Sequence, residues 1–151
     1  MATPDNYTIK LPLTRGINET SPTLVLPTSP VRHREHVECF ARYFLREMHF
    51  DSIQFDATET PSSPGFVRYE AHLFHNGDYF VGSSCFRWIE WKDAPPSWSL
   101  DWVWIHPFVR RRGHFAKAWP QFEQKYGRFH LARPFSCGIE IFLRKIGWLD
   151  T

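Results

Sequence analysis

Apolar positions change their spacing along this chain, and each change marks an element. In "SPVRHREHVECFARYFLREMHF" the residues Val37, Phe40, Ala41, Phe44, Leu45 and Met48 recur at helical intervals and give one apolar face. Ser29 is placed to cap that helix, and Pro30 suits a first helical position. Before it, residues 1–28 read as an extended arm punctuated by Pro4, Pro12, Pro22 and Pro27. Within the arm "YTIKLPL" and "TLVLP" are each a short strand or a clamp on the domain, and proline confines such strands to edges. Residues 51–64 form a loop rich in Thr, Ser and Pro. "GFVRYEAHLFHNGDYFVGSSCFRWIEW" reads as a hairpin with arms at about 66–75 and 78–91, turning at Asn76-Gly77, because a type I′ turn needs positive φ at both central positions. "WSLDWVWIHP" is a third strand ending at Pro107. A second helix follows Gly113 and runs to about Tyr126, with Pro120 as a kink point. "RFHLA" is a short strand, and "FSCGIEIFLRKIG" is a third helix capped by Ser136 and stopped by Gly147. Helix, three strands, helix, strand, helix is an α+β order: antiparallel strands followed by a β-α-β-α unit.

The stretch "WVWIHPFVRRRGHFAKAW" sets a problem. Arg110, Arg111 and Arg112 stand at the start of a helix, an end that already carries positive partial charge. The arrangement makes sense when an anion sits there. The first N–H groups of a helix have no internal partner, Gly113 lets the backbone approach closely, and guanidinium groups add charge-assisted hydrogen bonds to phosphate oxygens.

The stretch also resembles the acyl-CoA-binding motif of the GNAT N-acetyltransferase superfamily, a strand followed by Q/R-x-x-G-x-G/A at the opening of a helix. Arg110 takes the Q/R position and Gly113 that of the first glycine; Phe115 replaces the second small residue. "SCGIEIFLRKIGW" is similar to the family's "FYEKLGF"-like phrase at Phe142, Lys145, Gly147 and Trp148. The resemblance covers about residues 65–148. It implies a GNAT-like domain over 29–151, with a mixed, mostly antiparallel sheet whose central strand pair splays apart. It implies acetyl-CoA as co-substrate, with pantetheine along Val103 and Ile105 and the pyrophosphate held at Arg110, Arg111, Arg112, Gly113, His114, Phe115 and Ala116. Ser136 stands where many members have Asn. The acetyl group would lie between the strand of Val103–Ile105 and "RFHLA", where an amine attacks it directly and a backbone N–H stabilises the oxyanion.

Two family positions depart from this chemistry. The usual glutamate base falls on Ser99. Asp101, two residues on and facing the same side of the strand, is the candidate base, weighed against a structural hydrogen-bonding role. The usual tyrosine acid falls on Leu143. Cys137 is weighed as an acid or nucleophile against inert packing.

Composition narrows the rest. The 151 residues are enough for one domain with a real core, and hydrophobic (42%) and charged (23%) fractions are ordinary, whereas aromatics reach 17%. A net charge of +2 does not imply a nucleic-acid partner. The tryptophans near residues 88–104 are sheet core or walls of an acceptor cleft. Three cysteines without CxxC spacing fit a reducing cytoplasm, and no apolar run reaches the roughly 20 residues of a membrane helix. His33, His36 and Cys39 share a helix but lack a fourth ligand, so no metal is expected. The sheet edge is completed either by residues 7–26 or by a second subunit, leaving a homodimer open. The expected function is acetyl transfer from acetyl-CoA to an amine acceptor of unknown class. A catalytically silent acyl-CoA-binding relative and a basic, aromatic nucleic-acid-binding module remain open.

Overall fold

The computed structural model describes residues 9–14, 22–53 and 55–149. A five-stranded sheet in the order β1-β2-β3-β4-β5 is formed by β1 (Thr23–Val25), β2 (Tyr69–Asn76), β3 (Tyr79–Ile89), β4 (Ser97–Ile105) and β5 (His130–Leu131). The first four strands are antiparallel to their neighbours and β5 lies parallel to β4. Alternation along β4 divides the core in two. Trp102 and Trp104 face α1 (Val31–Met48) through Phe40, Tyr43 and Phe44. Leu100, Val103 and Ile105 face the layer of α2 (His114–Tyr126) and α3 (Cys137–Lys145), packed with Phe115, Trp119, Phe122 and Leu143. At 1% and 3% exposure, Trp102 and Trp104 are core and wall no acceptor cleft.

Two local expectations are corrected. Pro30, not Ser29, is the N-cap of α1 and no side chain caps it, because the Ser29 hydroxyl accepts from the Leu26 N–H at 2.8 Å within its own tight turn. Asn76 pairs with Tyr79, so the hairpin turns on Gly77-Asp78, with only Gly77 at positive φ. In one of the two expected ways of completing the sheet edge, by residues within 7–26, β1 pairs along β2 and covers its edge, while Leu13 bridges Tyr79 of β3. Tyr7, Thr8 and residues 15–21 of that stretch, and the chain end after Leu149, lie outside the described residues. The Ser136 cap holds, accepting from the Ile139 N–H at 3.4 Å, and α2 runs unbroken through Pro120.

One buried polar cluster on the α2 face is internally paired. His72 Nε2 lies 2.6 Å from the Tyr126 hydroxyl, which donates to Glu70 Oε1 at 2.8 Å, and Lys125 closes on the same oxygen at 3.0 Å. Burial, with Lys125 adding to it, holds the His72 imidazole down at about 3. The folded value lies below the unfolded one near 6.5, so His72 contributes stability that is intact above that pH and lost as pH falls toward its folded value. His36, pushed down to about 4 by burial, acts in the same direction. Urea unfolding between pH 6.5 and 4.5 should lose stability at up to about 1.4 kcal/mol per pH unit for each such group. His72→Gln should flatten that slope; parallel profiles for variant and wild type would rule His72 out as its source.

Candidate acyl-CoA site

The site starts from how β4 leaves its neighbours. Trp102 pairs with Cys85 and Leu100 with Phe86, so Asp101 is an extra residue, a β-bulge. On the other side β4 meets β5 only at Ser99 and Leu100, and the last bond between them runs from the Ala132 N–H to the Leu100 carbonyl at 3.0 Å. The chain then passes through Arg133–Pro134 into α3, while β4 continues to Ile105. The two strands therefore part at Asp101, as the resemblance implies. The His106 N–H donates to the Val81 carbonyl at 2.8 Å, which makes Ile105–Gly82 a non-hydrogen-bonded pair. The backbone groups of Ile105, and by alternation those of Val103, hence point away from β3 into the gap.

A cavity of about 680 Å³ opens there. Every residue expected to bind the cofactor lines it except Arg112: Val103 and Ile105 from β4, Arg110 through Ala116 around the turn, and Ser136 from α3. Arg111 (φ 67°) and Gly113 (φ 86°) are left-handed, which curls the backbone ahead of α2. No side chain caps α2, and its first internal acceptor bond runs from Lys117 N–H to the Gly113 carbonyl at 2.8 Å. The N–H groups of His114, Phe115 and Ala116 are thus left for an outside acceptor. The N-terminus of α3, at Ser136 to Ile139, lines the same cavity, and Lys145 adds a cation. Two positive helix ends and a basic turn favour an anionic occupant. Phe115 fits despite its size because its ring turns into the core, 5.4 Å from both Trp119 and Phe142. His114 is held below the ordinary imidazole range by burial, then by Lys117 and Arg112.

Arg110 lines the cavity with its guanidinium engaged inside the fold. Its guanidinium meets Glu47 Oε1 at 2.5 Å and its Nε donates to the Ile105 carbonyl at 2.6 Å. Glu47 also accepts from Trp104 Nε1 at 3.1 Å. The side chain is therefore a brace between α1, β4 and the turn, leaving Arg111 and Arg112 as the exposed arginines. Glu47, the cavity's carboxylate, was not foreseen: its partner is 63 residues away and nothing local in the sequence signals it.

Asp101 does not line this cavity. It lies at the point of divergence on the α1 face, with Oδ2 3.0 Å from Arg87 Nε. Burial raises its carboxyl above the usual range, against the pull of Arg87 and a hydrogen bond from Ser99. Leu143 is fully buried and Phe142 takes the cavity-facing place. Cys137 is exposed and lines the cavity. Among the described residues no group of three His, Cys, Asp or Glu side chains could hold a metal ion, and no helix is long and apolar enough to cross a membrane. Of the basic patch weighed for nucleic acid, Lys125 pairs with Glu70 and Arg128 stacks over Trp148 at 4.3 Å.

Sheet order, splayed β4–β5 pair and flanking helices make this a GNAT fold. The solved structure of a ribosomal-protein-alanine N-acetyltransferase from Brucella melitensis biovar Abortus 2308 is similar in fold: TM-score 0.57, 12% identity, covering 87% of this chain and 93% of that one. No family model matches the chain, and no curated protein matches it in sequence.

Proposed function

We propose that the chain binds acetyl-CoA in the β4–β5 cleft and transfers the acetyl group to an amine. The observation that carries this is the coincidence of the strand gap, the uncapped start of α2 and the basic turn in one cavity of about 680 Å³, within the range of small-molecule sites. The residues fit the cofactor's chemistry. Amides at residues 114–116 and the cations Arg111 and Lys145 match a pyrophosphate. The outward backbone of Val103 and the N–H of Ile105 match pantetheine amides. Phe142, Ile139 and Ile141 supply apolar wall. Bound there, acetyl-CoA supplies an activated acyl group. The protein's part is to orient it, exclude water and accept the amine's proton, a role we assign to Asp101 where β4 and β5 part.

Calorimetry with acetyl-CoA, followed by thiol-release assays over an amine panel, tests the reading. Saturable one-site binding with turnover is expected. Binding without turnover would favour the catalytically silent relative, a reading that Leu143 in the core makes specific. Nucleic-acid binding that weakens steeply with salt would favour the third reading. The burial of Trp102 and Trp104 counts against that one, since neither ring can stack on a base.

A further inference from the structure

The vertex of the β4–β5 gap holds a chain of polar side chains that cofactor binding does not use. Ser99 and His130 are register partners on the parallel strands, with Ser99 Oγ 3.1 Å from His130 Nδ1. The same hydroxyl hydrogen-bonds the Asp101 carboxyl. Asp101 is half-buried, Ser99 is 2% exposed and His130 is exposed, so the chain runs from a half-buried carboxyl through a buried hydroxyl to solvent. Its members are held in place. Arg87 fixes Asp101, and the Trp91 ring, anchored by its Nε1 bond to Ser97 Oγ at 2.8 Å, meets the His130 ring edge-on at 4.8 Å. A hydroxyl has one proton to give and lone pairs to accept with. Ser99 can therefore donate to either neighbour while accepting from the other. Reversing both bonds carries one proton along the chain.

We propose that Asp101, Ser99 and His130 form a relay that takes the proton shed by the attacking amine at the strand vertex and delivers it to solvent. The inference rests on the acetyl-transfer reading above. The amine nitrogen bonds to the acetyl carbonyl carbon and the C–S bond breaks. The departing thiolate takes a proton from solvent, and the proton lost by nitrogen goes to the Asp101 carboxylate. Asp101 then donates to Ser99 Oγ, the Ser99 proton passes to His130 Nδ1, and His130 releases its Nε2 proton to water. Nothing is oxidised or reduced. A half-buried carboxylate must shed its proton before the next turnover; the relay is a route for it. It also gives Ser99, which cannot itself be a base, a use as the middle link. Asp101 is the catalytic residue, and Ser99 and His130 act through it.

The test compares wild type, Asp101→Asn, Ser99→Ala, His130→Ala and His130→Gln. Each is assayed for acetyl-CoA affinity by calorimetry and for thiol release with a free-N-terminal alanyl peptide, spermidine and lysine. His130→Ala should lower kcat about 10- to 100-fold. Its KM and Kd for acetyl-CoA should stay within about twofold, a split that a misfolded site would not give. Added imidazole should restore its rate, since the vacated position is open to solvent. Ser99→Ala and Asp101→Asn should be slow and not rescued; His130→Gln, which keeps a polar side chain, should be slow while melting like wild type. A wild-type kcat in His130→Ala, or a loss that imidazole leaves untouched, overturns the relay alone when wild type turns over. A wild type that binds no acetyl-CoA overturns the acetyl-transfer reading and the relay together. Binding without thiol release from any of the three amines sinks the relay and favours the silent relative.

Discussion

Gly113→Asp is expected to abolish acetyl-CoA binding while leaving a folded protein. Gly113 sits at φ 86°, and a Cβ built there would meet only Lys117 Cε, at 3.7 Å. Space is therefore not the obstacle. Two other effects are. The left-handed backbone disfavours an L side chain by about 1–2 kcal/mol. The larger effect is electrostatic: a carboxylate at the mouth of α2 stands where the amides of residues 114–116 hold the pyrophosphate. Two like charges about 4 Å apart repel by about 4 kcal/mol near a protein surface, close to a thousandfold in affinity. Gly113→Asn separates the two effects, because asparagine has the same shape, tolerates the left-handed region and carries no charge. Its affinity should fall by far less than that of the aspartate variant. Calorimetry on both decides the matter. Wild-type affinity in Gly113→Asp would mean that no diphosphate lies at this turn.

What could be read from the sequence is what short-range chemistry dictates. The start of α2 follows from Gly113, the end of β4 from Pro107, and the α3 cap from Ser136, because each depends on one residue's backbone preference or on a bond spanning three positions. About half of the cavity's lining was legible for the same reason, since it comes from the single segment Val103 to Ala116. The misreadings share an opposite cause. Ser29 had a nearer competitor in Leu26, and the hairpin turn moved by one residue to suit a bulged register between Phe74 and His75. Arg110 also has a partner that no local pattern signals, Glu47, brought to it from α1. Strand alternation puts Asp101 on the same side as Ser99. The structure keeps them together; what alternation misses is the bulge opposite Cys85 and Phe86, which also starts the divergence of β4 from β5. Partners drawn from distant elements, such as Ser99 with His130, leave no trace in local pattern.

Gly82→Ala is expected to be the most destabilising single methyl that can be added near the site. Gly82 lies on β3 opposite Ile105. A Cβ there would fall deep inside the contact distance of the Trp104 carbonyl oxygen and 2.9 Å from Ile105 Cα. Both neighbours are backbone, so no side chain can rotate out of the way, and β3 and β4 must separate. Overpacking of this kind costs about 1–3 kcal/mol and occasionally more; a backbone clash between two central strands belongs at the upper end. The damage has a direction. The segment pushed is Trp104–Ile105, whose outer backbone faces the gap and whose Ile105 carbonyl anchors Arg110. Acetyl-CoA affinity should therefore fall even for the folded fraction, coupling a stability defect to a binding defect. Gly138→Ala is the internal control for stability. Gly138 lies in α3 on the same cavity, a Cβ there meets nothing within 4 Å, and alanine is the better helix former by about 1 kcal/mol. Urea midpoints should move down for Gly82→Ala and stay level or rise for Gly138→Ala. Equal midpoints in the two variants would show that β3 and β4 are not packed this tightly, and that the outward backbone of Ile105 is not fixed by the approach of Gly82.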